Sequence, residues 1–365
     1  MVSNIQINQT MKLLPKEVIK GRKAIVKKLL IVLSEASQNM CIQQACENTG
    51  LYTHSRHILR QFKKFSLEQI KELFFESSLA MLNLSIPKLN LRYLKLAVDI
   101  TEEPYYGKLD NPLIWSRTPK SPNGAIGCYK YLTISITNSN CKLILFNMML
   151  YPGYCVEDII PLVLDEIQKL IPIKQATFDR GFDNHKLVYE LQRFRIKYLI
   201  FSRKNKSTKK IFDDIEEGAS FSKMRYLSFY KYGIKYSCIA KFVYIKAFQF
   251  KETEEFYDWI FITNMNFESI RHTISSYRNR WGIETVFRVL KQDFRIKTTS
   301  KHQSVRLMCW FFSMLFYNIW QLAKYFISFE IKAKNFFNII RFGFKKKYEL
   351  KSEFEDQILD FIGLN

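Results

Sequence analysis

The sequence is poor in the residues that build zinc sites, disulfide frameworks and membrane spans. Its 365 residues hold five histidines and seven cysteines. No HxxxH pair occurs, and no CxxC pair or finger spacing joins Cys41, Cys46, Cys128, Cys141, Cys155, Cys238 and Cys309. A zinc site is therefore not expected, and an odd number of scattered thiols fits reduced, mostly buried cysteines in a cytoplasmic protein. The start, MVSNIQINQTMKLL, has no long apolar core after a basic end, so no signal peptide is expected. The apolar stretch Leu307 to Trp320 covers 14 residues, short of the roughly 20 that cross a bilayer. It reads as a buried helix, and no membrane partner is expected. Repeats and low-complexity segments are absent too.

Acidic residues are also scarce. The chain has 34 Asp and Glu against 56 Lys and Arg, a formal charge of +22 and a pI near 9.6. The cations are spread along the chain instead of forming the cluster that lipid attachment needs, so a nucleic acid is the expected polyanion partner. With 47% hydrophobic and 15% aromatic residues, the chain is expected to fold, and its length allows more than one core.

What is present is concentrated in Ser276 to Phe294, SYRNRWGIETVFRVLKQDF. Read as one helix at about 100° per residue, this stretch sets Tyr277, Arg280, Glu284 and Lys291 within roughly 60° of one another, with Arg288 and Trp281 beside them. Ile283, Val286, Phe287 and Leu290 form the opposite, buried arc. A carboxylate ringed by Arg280, Arg288 and Lys291 is more cationic than a solvated helix face requires. It suits a metal-binding acid beside phosphate oxygens.

The spacing Tyr277-x2-Arg280-x3-Glu284-x6-Lys291 resembles the Y-R-E-K signature of the IS-four group of bacterial and archaeal DDE transposases. The resemblance implies that Glu284 is the third catalytic carboxylate and that two aspartates lie upstream at strand ends. It extends to VDITEEPYYG and TFDRGF and, in the order of elements, over about 91 to 325.

Read in order, residues 1–90 have helical periodicity, with helices expected over Ala24 to Ser34, Ile42 to Glu47, His54 to Lys64 and Ser66 to Leu82, and a boundary at Pro87. Asn48 to Leu51 reads as a tight turn and Thr53 or Ser55 as a cap, making a candidate helix-turn-helix with Arg56, Arg60, Lys63 and Lys64 on or near its second helix. Residues 91–203 read as the first part of a catalytic core, beginning with a strand that ends in Asp99. Tyr129 to Thr137 and Lys142 to Leu150 should complete an antiparallel meander. A helix over Val156 to Leu170 and a short strand delivering Asp179 follow, then a helix from Asn184 to Phe194 and a strand from Tyr198 to Ser202. This order resembles an RNase H-like α/β fold, which implies that the first and fourth strands are neighbours and bring Asp99 beside Asp179. Residues 204–264 show β-rich runs and no comparable helical pattern, and read as an inserted β subdomain, as IS-four members also carry. Residues 265–330 return to the core with the signature helix and a long apolar helix from Ser304 to Phe326, and 331–365 form a tail without assignment.

Asp99, Asp179 and Glu284 are the expected catalytic and metal-binding set, because two hard divalent ions about 3.5–4 Å apart need bridging oxygen ligands. Two Mg²⁺ or Mn²⁺ ions are expected. Tyr277, Arg280, Lys291, Arg288 and Trp281 are the expected DNA contacts, the cations on phosphates and Trp281 either in the core or under an unstacked base. Asp183 reads as a helix cap, and Glu102, Glu103, Asp110 and Asp158 as surface acids. The expected function is cleavage at transposon ends and strand transfer into target DNA. The expected substrate is double-stranded DNA, the inverted repeats and the target, acted on by a homodimer in the DNA complex. The alternatives are a non-mobile RNase H-like nuclease such as a junction resolvase, and a DNA-binding protein with a decayed core.

Overall fold

A computed structural model describes residues 23–50, 54–107, 112–116, 122–138, 140–249, 256–326, 332–333 and 335–338. Among the described residues four helices come first, α1 (Lys23–Ala36), α2 (Ile42–Thr49), α3 (Arg56–Phe62) and α4 (Leu67–Leu89). The chain then runs β1 (Leu94–Tyr105), β2 (Trp115–Ser116), β3 (Gly127–Ile136), β4 (Ile144–Leu150), α5 (Val156–Gln168), β5 (Ile173–Phe178), α6 (His185–Arg193) and β6 (Tyr198–Phe201). It continues through α7 (Lys206–Asp213), β7 (Ser220–Lys231), β8 (Ile234–Gln249), β9 (Phe256–Thr263), α8 (Ile270–Arg278), α9 (Trp281–Asp293) and α10 (Gln303–Phe326).

The nine strands form one mixed sheet in the order β2-β3-β1-β5-β6-β9-β8-β7, with β4 pairing β3. The expected meander is there, since β1 and β4 both run antiparallel to β3. β5 joins β1 in parallel and β6 joins β5 in parallel. Parallel neighbours need a crossover, and α5 and α6 supply it. β4 pairs only with β3, yet all seven of its residues are buried, because α4 and α10 pack against it.

Several boundaries differ from the sequence reading. β1 does not stop at Asp99 but continues six residues to Tyr105, because Asp99 to Tyr105 keep pairing with Thr133 to Gly127 on β3. α4 runs through Pro87 to Leu89, and the left-handed backbone of Asn90 (φ 48°) closes the helix; the proline has no N–H to give the carbonyl four residues back, so the last turn forms without that bond. The turn expected at Asn48 to Leu51 shrinks to Gly50, the only one of the four with described left-handed backbone (φ 63°), since Asn48 and Thr49 remain helical. Leu51 and Thr53 lie outside the described residues, and Ser55 flanks α3 without a side-chain cap bond. Residues 204–264 do contain a helix, α7, which a reciprocal Asn205–Thr208 capping box starts. Their strands extend the main sheet through the β6–β9 pair.

α10 joins the parts. Phe311 and Phe312 meet Phe74 of α4 and Phe62 of α3, while Phe75 of α4 meets Phe146 of β4. The early helices therefore share one apolar core with the sheet. Among the described residues no helix is long and apolar enough to cross a membrane.

Candidate active site

Side-chain alternation along two neighbouring strands builds the site. In the parallel register Ala97 sits opposite Thr177 and Val98 opposite Phe178. Successive side chains point to opposite faces, so Asp99 shares the face of Ala97, and Asp179 that of Thr177. That face is covered by α9, because Ala97 packs with Ile283 and Phe287. Asp99 and Asp179 thus come out side by side beneath the helix that carries Glu284.

The stretch expected to be one helix is two. At Asn279 and Arg280 the bonding tightens to three-residue steps, from the Arg280 N–H to the Tyr277 carbonyl (2.9 Å) and from the Ile283 N–H to the Arg280 carbonyl (2.9 Å). The break separates Tyr277 from the rest of the stripe. Ile283, Val286, Phe287 and Leu290 are buried, as their arc predicts.

Arg280 is the centre of the arrangement. Its side chain is only 7% exposed, and its guanidinium reaches Asp99 Oδ2 at 3.1 Å and Glu284 Oε1 at 2.7 Å. Glu284 is half-exposed, whereas Asp99 is largely buried. Burial pushes the Asp99 carboxyl up to about 6, against the pull of Arg280 and of the Ile100 N–H, and Asp179 and Glu284 push it further. The three acids therefore lie close enough to feel one another. Asp179 also accepts a hydrogen bond from the Arg180 N–H, which starts a 3₁₀ turn over Arg180–Phe182.

The remaining expected site residues divide between interior and surface. Tyr277 is buried among Phe201, Trp259 and Phe261, and burial raises its hydroxyl to about 12. Lys291 is half-buried and donates to the Glu102 carbonyl at 2.8 Å; burial lowers its pKa. Arg288 and Trp281 are exposed, with the Arg278 guanidinium over the Trp281 ring. Of the acids read as surface residues, Glu103 is buried in β1 and paired with Arg295 at 2.9 Å, because β1 runs on past Asp99. Asp158 is exposed in part and paired with Lys186 and Lys231, and Asp110 lies outside the described residues. Asp183 is not the cap of α6; Asn184 is. Its carboxylate instead accepts from the Ser202 hydroxyl (2.7 Å) and the Arg203 N–H (2.9 Å).

Sequence reasoning missed two features. Gln175 of β5 donates to the Ser276 carbonyl at 3.2 Å and to Thr177 Oγ1 at 2.9 Å, which fixes α8 to the sheet. A cleft of about 1070 Å³ also opens beside Asp179, lined among others by Arg180, Arg203, Lys204, Trp259 and Trp281. Its signal was available, since Arg180 and Arg203 each lie two residues past the end of one of two parallel strands, where ligands bind in open α/β sheets.

Three oxygen-donor acids suit hard divalent cations. Among the described residues, however, no group of three or more His, Cys, Asp or Glu is gathered as a metal cage, because the Arg280 guanidinium occupies the space between Asp99 and Glu284. The donor set fits such ions, and Arg280 provides the counter-charge meanwhile.

A family model described as "Transposase DDE domain" matches residues 157–319, which include Asp179 and Glu284. No curated protein matches the sequence. Among solved structures, the cryo-EM structure of a piggyBac transposase synaptic complex with hairpin DNA is similar in fold, with a TM-score of 0.54 at 12% identity over 85% of this chain. The chain spans 63% of that transposase. Residues 157–319 thus match a transposase DDE domain, set in a mixed α/β fold that is similar to a transposase's.

Proposed function

We propose that this chain is a DNA transposase of the IS-four group that cleaves double-stranded DNA at the ends of its own element and transfers the strand into target DNA. The carrying observation is the parallel β1–β5 register, which sets Asp99 and Asp179 side by side under Glu284. The match over residues 157–319 and the net charge of +22 support the same reading.

In this reading Asp99, Asp179 and Glu284 hold two Mg²⁺ or Mn²⁺ ions, which when bound supply a nucleophile and a stabilised leaving oxygen. Arg280 keeps the acids apart and neutralised, and is the group that yields as a cation enters. Arg288 and Trp281 face the solvent and meet the DNA first. Tyr277 and Lys291 act from within, Tyr277 by bracing α8 against β9 and Lys291 by tying α9 to the Glu102 carbonyl. The helices of residues 1–90 and the segment 204–264 form DNA-binding additions to a core made of 91–203 and 265–330, and a homodimer assembles on the DNA.

The test is incubation of purified protein with Mg²⁺ or Mn²⁺ and duplexes carrying the inverted repeats that flank the gene. End cleavage is expected, and it should be lost in Glu284→Gln. Preferential cleavage of branched junctions would replace this reading with that of a resolvase, and retention of full cleavage by Glu284→Gln would remove the catalytic assignment.

A further inference from the structure

A second cleft, of about 610 Å³, lies between α3 and the loop that follows α9. Arg56 and Arg60 of α3 and Lys63, the residue that caps its end, line one side, and Lys297 and Thr298 line the other. No Asp or Glu is among the lining residues. The four cations are exposed, and none of them forms an ion pair or a side-chain hydrogen bond with another described residue. Like charges three and four residues apart on a helix repel, and here a fourth cation from a distant segment is brought to the same place. A folded protein gains nothing from that concentration of charge unless an anion neutralises it.

One wall of the cleft is fixed by backbone bonds. The Lys297 N–H donates to the Met40 carbonyl at 2.9 Å, Cys41 and Lys297 form a parallel β-bridge, and Asn39 bonds the Gln292 carbonyl. Arg306 holds the Ser300 carbonyl at 2.7 Å, and the Ile296 N–H is fixed to Ser313 Oγ at 3.1 Å. The segment that follows the helix carrying Glu284 is thus tied to the chain between α1 and α2, which fixes the backbone position of Lys297 beside the early helices.

We infer that this cleft binds the sugar–phosphate backbone of duplex DNA, away from the carboxylates and in register with them. The inference rests on the DNA-cutting function proposed above. The cleft's volume admits one strand's backbone ridge, not a whole duplex, and four cations match a run of phosphates better than a single anion. Glu284 stands nine residues before the end of α9, about 14 Å along the axis at 1.5 Å per residue. At 3.4 Å per base step the cleft would hold phosphates roughly four to six base pairs from the one cut.

Cys41 lines this cleft and is exposed, as is Cys155 at the start of α5. The full chain is labelled with a maleimide, with and without duplex DNA, once with a duplex bearing the terminal repeat and once with an unrelated duplex of equal length. Cys41 labelling should slow at least tenfold at saturating DNA while Cys155 is unchanged, and high salt should restore it. Protection by the repeat duplex alone assigns the cleft to end DNA, and protection by both assigns it to duplex backbone in general. In Arg56→Gln/Arg60→Gln/Lys63→Gln/Lys297→Gln the protection should vanish, and the slope of log affinity against log salt should fall by as much as about 3.6, at 0.9 per contact. Open Cys41 labelling under DNA saturation overturns the inference, and if metal-dependent end cleavage persists it does so alone. Protection of Cys41 without any cleavage supports the cleft and removes the transposase reading, whereas absence of duplex binding overturns both.

Discussion

Asp99→Asn should change how stability depends on pH, by an amount set by where Asp99 sits. Its carboxyl is raised from the ordinary 3.8 to about 6, first by burial and then by Asp179 and Glu284, with Arg280 and the Ile100 N–H opposing. A native acid that holds its proton more tightly than the unfolded chain does stabilises the fold at low pH. That advantage is lost as pH climbs from about 4 through 6, because the native state binds more protons in that window. At 1.36 kcal/mol per pH unit the rise corresponds to about 3 kcal/mol. The constant penalty of leaving Arg280 with Glu284 alone shifts the variant's whole curve without bending it. The unfolding free energy of the variant minus that of the native protein should therefore increase by about 3 kcal/mol between pH 4 and pH 7.5, read from urea titrations in EDTA. Mg²⁺ should shrink the increase, since a cation at the site favours the ionised carboxylate. Parallel curves, or a difference that falls with pH, would refute the burial of Asp99 among like charges.

Arg280→Ala should cost about 3–5 kcal/mol in urea unfolding, because it strands buried Asp99 without its partner, while Arg280→Lys should recover part of the loss. The same variant should leave the salt dependence of duplex binding nearly unchanged, whereas Arg288→Ala, whose side chain is exposed, should lower the slope by about 0.9. Trp281→Ala should shift stability by less than about 0.5 kcal/mol and weaken binding of a duplex with an unpaired terminal base by about 1–3 kcal/mol in anisotropy titrations. Phe294→Ala should lose about 3–5 kcal/mol on unfolding, because this ring is fully buried against Tyr317, Trp320 and Phe337.

The part of the site legible in the sequence was the part that periodicity controls. Alternation into Asp99, a short apolar run into Asp179 and a buried arc of Ile283, Val286, Phe287 and Leu290 each follow from a repeat of 2 or 3.6 residues, whereas the pairing of the strands before Asp99 and Asp179 was only what the RNase H-like resemblance implied. Exposure was not legible. A helical wheel sets Tyr277, Arg280 and Lys291 on one polar stripe, and a polar stripe is read as wet. Three facts outside any wheel bury them. The helix tightens at Asn279, which turns Tyr277 into the rings of Phe201, Trp259 and Phe261. β1 runs on past Asp99, so the Glu102 carbonyl lies where Lys291 can reach it. Two acids that the sequence separates by 185 residues converge on one guanidinium. A charged stripe over a buried acid cluster is therefore poor evidence for a nucleic-acid surface, because the acids can claim the cations for themselves. Among the described residues that line the second cleft no acid accompanies the four cations, and so they are the stronger indication of where phosphates bind.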